Sequence, residues 1–206
     1  MNSIGTTIII LFILCLIIAV AVSRGKYTER ENREAFLERE SRANSVRRAD
    51  ISSLDYIRVP LDALPLDAVR RAGYGELCDK LTQLAENRIL NLSRYTNTEL
   101  KLMYGPANLD DLCRYDNNYT ELIRLLDKLS ECMLEAGDAG HARLFLEYAV
   151  SIGSDISKTY VRLAGLYADE KNTALLDALI QKAQNLPGLS GPVIINKINS
   201  IKSNLK

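Results

Sequence analysis

The apolar positions in the C-terminal half of the chain recur with a period of roughly 34 residues, and a repeat of that length admits few folds. Leu126 falls on Tyr160, Leu129 on Leu163 and Met133 on Tyr167. Ala142 falls on Leu176, Leu146 on Ile180, Ala149 on Ala183 and Gly153 on Pro187. Within each unit these residues stand three or four apart, so they line one face of a helix. Gly137-Asp138 and Lys171-Asn172 interrupt the two units at corresponding places. Each unit therefore reads as a helix, a tight turn and a second helix. One such hairpin cannot bury its apolar face, whereas stacked hairpins share a core. The spacing predicts an all-α antiparallel helix-hairpin solenoid over residues 73–206, with its clear repeats at 123–187.

The residue types sharpen the pattern. The first unit reads L-x-x-L-S-x-x-M through Leu126, Leu129, Ser130 and Met133, and the second Y-x-x-L-A-x-x-Y through Tyr160, Leu163, Ala164 and Tyr167. Small residues follow where the two helices would cross, and Pro187 closes the second unit. In these features residues 123–187 resemble the tetratricopeptide repeat family, with Leu126 in place of the family's aromatic, Met133 in place of its tyrosine and Leu176 in place of a small residue. The resemblance implies a concave face lined by the first helix of each unit that holds a protein or peptide partner. By position that face comprises Arg124, Asp127, Glu131, Lys158, Val161 and Gly165. It is mixed in charge and lacks the Lys/Asn/Arg set with which chaperone-binding members clamp a C-terminal carboxylate, so a different ligand is implied. One further shift back meets Leu92, Tyr95, Leu112 and Tyr115, with Gly105-Pro106 near the expected turn, and allows a degenerate extra unit. Residues 192–206 place Ile194, Ile198, Ile201 and Leu205 on one face and Lys197, Lys202 and Lys206 on the other, as a polar-backed capping helix requires.

The N-terminus differs in kind. The run from Ile4 to Val22 contains no charged side chain. As a helix it would extend roughly 28 Å, close to the hydrocarbon thickness of a bilayer. Residues 1–23 are accordingly expected to form a single transmembrane anchor. Ala19-Val20-Ala21 offers the alternative of a cleaved signal, although no basic side chain precedes the apolar run and that run is long. Arg24, Lys26, Arg30 and Arg33 follow the run closely, so the positive-inside rule places the C-terminal domain in the cytoplasm. Residues 24–50 alternate in charge and read as a solvated juxtamembrane helix or linker. Residues 51–72, with Val59-Pro60 and Leu64-Pro65, read as an extended strip, because a proline holds the residue before it out of the helical region.

Lys plus Arg and Asp plus Glu both number 26, so no global charge favours nucleic acid. Cys15 lies in the apolar run, and Cys78, Cys113 and Cys132 are far apart with no C-x-x-C spacing, which argues against a disulfide framework and fits a reducing compartment. His141 is the one histidine, too few for a structural zinc site, and it is expected on a solvent-facing helix position. Tyr104–Thr120 concentrates Asp110, Asp111, Asp116, Asn117 and Asn118. It reads as an inter-helix turn, a short helix over 107–115, and a turn at 116–118 that caps the next helix. It lacks the spacing and central glycine of a calcium loop. No phosphate-binding, dinucleotide or metalloprotease fingerprint occurs, and no cofactor or metal is implied. The expected function is therefore a membrane-anchored adaptor or scaffold without catalysis. The rivals are an extracytoplasmic assembly factor and an enzyme with a carboxylate site at Asp110, Asp111 and Asp116.

Overall fold

A computed structural model describes Ile13 and residues 31–205. Among these residues the chain is all-α, with no strand. Its helices are α1 (31–44), α2 (Leu66–Arg71), α3 (Gly75–Ala85), α4 (Asn97–Tyr104), α5 (Leu109–Glu135), α6 (Ala139–Ser151), α7 (Ser157–Asp169), α8 (Thr173–Gln184) and α9 (Ser190–Ser203). Of the described residues, 31–49 form one compact unit with Asn97–Ala107, and Asp50–Thr96 forms a second with residues 108–205.

The expected single-pass membrane localisation is corrected. Among the described residues no helix is long and apolar enough to cross a membrane. The physical reason is visible in α5, whose 27 residues give it sufficient length but whose outer face carries charge from Asp110 to Glu135. The other helices are likewise amphipathic or shorter. The expected anchor, residues 1–23, lies outside the described residues apart from Ile13, and the cytoplasmic placement built on it goes with it.

In the first unit, Ala43 of α1 and Leu100 of α4 are buried. Beside them Glu40 binds the Thr98 hydroxyl and pairs with Lys101 Nζ at 2.9 Å. Those hydrogen bonds, with the Lys101 bond contributing most, hold the Glu40 carboxyl below its ordinary value. Ala49 N donates to Tyr104 O at 2.9 Å and closes the unit.

In the second unit, Pro65 directly precedes α2, inside the stretch read as extended. Proline is well suited to a helix start, where its missing N–H has no intrahelical partner to lose. α2 leads into α3, which packs on α5. From α5 onward each helix packs on the next, and α9 closes against both α7 and α8. α6 serves two cores. Phe145 belongs to one core with Leu81, Leu122, Leu126 and Leu129, while its neighbour Leu146 belongs to the other with Tyr160, Leu163, Leu176 and Ile194. Adjacent residues on a helix point about 100° apart, which lets one helix be shared in this way.

The repeat extends to turn geometry. Gly137 and Lys171 both have positive φ, 76° and 53°. After each, the chain closes the preceding helix identically: Asp138 N donates to Met133 O at 2.8 Å, and Asn172 N to Tyr167 O at 2.9 Å. The same two residues then cap the next helix, the Asp138 carboxylate accepting from His141 N and the Asn172 amide oxygen from Leu175 N. In α9, Ile194 and Ile198 stand where Tyr160 and Ala164 stand in α7, and all four are buried. Lys197, in the place of buried Leu163, is exposed. Gly191 admits the start of α9 against the end of α8, since a Cβ there would stand 2.6 Å from Ala183 O.

Two expectations for the middle of the chain are corrected. The turn at 116–118 does not form, and α5 runs unbroken from Leu109 to Glu135. Asp116 and Asn118, which elsewhere bond their own backbone and break helices, bond outward. Leu92 N donates to Asp116 Oδ1 at 2.8 Å, and Asn118 Nδ2 donates to Arg88 O at 2.9 Å. The Arg88 guanidinium lies over Tyr56 at 5.3 Å and Tyr115 at 6.0 Å, securing the same segment. Residues 88–96, on which the degenerate extra unit would have drawn, contain no helix.

Candidate functional site

The exposed faces of α5 and α7 carry basic residues in register. Arg124 corresponds to Lys158 and Lys128 to Arg162, each pair one repeat apart. Spacing by four puts Arg124 and Lys128 on one face of α5, and Lys158 and Arg162 on one face of α7. Arg162 reaches across to α5, with Nη1 2.8 Å from Asp127 Oδ1 and Nη2 2.5 Å from Glu131 Oε1. The buried Thr159 hydroxyl donates to the same Asp127 oxygen at 3.0 Å. Lys128 Nζ takes the other oxygen of Glu131 at 2.8 Å. Two repeat-equivalent cations thus hold one carboxylate. The Lys128 hydrogen bond, then the Arg162 charge, lower the Glu131 carboxyl from its ordinary value of 4.5. The same bond raises Lys128.

Of the residues placed on the partner face by sequence, Arg124 and Lys158 are exposed. Val161 and Gly165 are half-buried on α7, and open space surrounds the position a Gly165 side chain would take. Asp127 and Glu131 lie on that face too, but both are engaged by Arg162. Arg162 itself was missed, although it is the repeat equivalent of Lys128 and the period points to it.

Beside this face, α3 and α5 bound a groove of about 510 Å³. Leu77 and Leu125 supply its apolar lining, and Lys80, Asn117, Thr120, Glu121, Arg124 and Lys128 its polar lining. Lys80 was not foreseen, because the repeat period says nothing about how α3 registers on α5.

The three carboxylates of the acidic stretch have separate surroundings. Asp110 is exposed, Asp111 pairs with Arg114 at 2.6 Å, and Asp116 is bound to the backbone of Leu92. Among the described residues no cluster of three or more His, Cys, Asp or Glu side chains has the geometry to hold a metal ion. His141 is half-buried rather than fully solvent-facing, its Nδ1 2.6 Å from the capping carboxylate of Asp138. That bond and the His141 backbone N–H hold Asp138 below its ordinary value. Cys78 and Cys132 are buried and Cys113 is half-buried, all as free thiols, and burial raises the first two. Compared with family models, with curated proteins and with solved structures, the chain matches none.

Proposed function

We propose that this chain is a protein-binding scaffold of tetratricopeptide-like architecture, and that a partner segment lies along the exposed faces of α5 and α7. The observation that carries the reading is the pairing of turns one repeat apart, Gly137-Asp138 with Lys171-Asn172, with matching αL residues and matching caps. Equal turns set equal helix placements, so Arg124 and Lys158 recur on the first helices of successive units as rungs of one surface. A surface of that kind suits an extended or helical segment of another protein. The charge-balanced group of Asp127, Glu131, Arg162 and Lys128 ties α5 to α7.

The test is selection of displayed random peptides against the full chain, followed by binding to the Arg124→Glu and Lys158→Glu variants. Selected peptides should weaken by about tenfold or more with each reversal, since each removes one charge contact and installs a repulsive one. Ligands indifferent to both substitutions, or no ligand at all, would remove this reading.

A further inference from the structure

We propose that the groove between α3 and α5 takes an acidic peptide segment, an apolar side chain resting on Leu77 and Leu125 while flanking carboxylates meet Lys80 and Arg124. This inference rests on the reading of α5 as part of a partner surface and names the chemistry of the partner.

Three observations carry it. The groove has an apolar lining: Leu77 is half-buried and Leu125 keeps 9% of its surface exposed, and both line a groove of about 510 Å³, a volume in the range of ligand pockets. The unpaired basic lining is Lys80 from α3 and Arg124 from α5, against one acid, Glu121, while Lys128 is paired with Glu131. Lys80 and Arg124 are exposed and, among the described residues, form no ion pair. The third observation explains why those charges stay open. Asp127, the carboxylate one turn from Arg124, is held from α7 by Arg162, while Lys128 is taken up by Glu131. Lys80 and Arg124 against Glu121 therefore leave a net positive charge beside the apolar lining. A neutral or basic segment would leave that charge uncompensated, whereas an acidic one is steered to it. Exposed charge pairs contribute modestly on their own, so the apolar anchor is a required part of the ligand.

The test uses the full chain and fluorescence anisotropy of a fluorescein-labelled peptide with two leucines flanked on both sides by glutamates. Companion peptides replace the glutamates by lysines, or the leucines by serines. The glutamate–leucine peptide should bind the native chain and weaken by about tenfold or more in the Lys80→Glu/Arg124→Glu double variant. That variant should in turn gain the lysine–leucine peptide, a rescue that also shows it is folded. Three results would overturn the proposal: no binding to the native chain, equal binding to the double variant, or equal binding of the serine peptide. The wider reading is separable. Displayed peptides that respond to Lys158→Glu but not to Lys80→Glu would discard the groove and keep the α5–α7 surface. A selection that yields no ligand would discard both.

Discussion

Gly137 and Lys171 occupy the same place in two successive turns, both in the left-handed region, with φ of 76° and 53°. Glycine adopts that conformation freely, whereas a lysine there brings its Cβ close to a carbonyl oxygen. The turn that Lys171 makes is nevertheless the same, because Asn172 N still reaches Tyr167 O and the Asn172 side chain still caps α8. The packing of α7 on α8 holds the lysine in a conformation its own preference disfavours.

Replacing Lys171 by glycine should therefore stabilise the chain. The relief of the left-handed strain, less the added freedom of glycine in the unfolded chain, is about 0.5–1 kcal/mol. Urea denaturation should show a higher midpoint with an unchanged slope. Gly137→Ala should act in the opposite direction by a similar amount, since it imposes on the first turn the strain already present in the second.

Asp116 should prove structural. It occupies the interior of α5 and accepts the backbone N–H of the buried Leu92. Asp116→Ala leaves that donor without its partner and should cost about 1–3 kcal/mol. Asp110→Ala, at an exposed position, should stay within about 0.5 kcal/mol. Chemical denaturation of both variants checks the contrast, and equal effects would contradict the assignment.

The clamp on Glu131 should show in acid. Its carboxyl titrates below the ordinary 4.5 in the folded chain, so the folded state binds fewer protons than the unfolded one as pH approaches that value. The contribution is complete above pH 4.5 and is lost as pH falls through the lowered folded value. The stability difference between the native chain and Glu131→Gln should be constant from neutral pH down to about 4.5 and close below it. Denaturation curves across a pH series would reveal this, and a gap that widened in acid would reverse the sign argued here.

Thiol reactivity should follow burial. Cys78 and Cys132 are buried, their thiols pushed up by desolvation, while Cys113 is partly exposed. The thiolate is the reacting form. Alkylation under native conditions, read by peptide mass spectrometry, should label Cys113 first, with Cys78 and Cys132 following only in denaturant.

Much of this fold was legible in the order of residues. Leu126, Leu129 and Met133, against Tyr160, Leu163 and Tyr167, mark the same faces in sequence and in space. The candidate surface was legible in part. Arg124 and Lys158 lie exposed where the period puts them, but Asp127 and Glu131, expected to face a partner, are held by Arg162. The stretch from 104 to 120 misleads because Asp and Asn favour turns when their side chains have only local backbone to bond. Here Asp116 finds Leu92 N, far back in the chain, and Asn118 finds Arg88 O, farther still.

What the sequence by itself determined was the run of amphipathic helices and the turns that punctuate the two clear repeats. Those depend on spacing by three and four and on residues adjacent in the chain, and both are properties of a local segment. Only the tertiary structure decided that α5 is one helix, that Arg162 draws two carboxylates to α7, and that Lys80 comes to stand beside a groove with Arg124. Each of those depends on how one helix registers against another, and that register is set by the packing of side chains far apart in the chain.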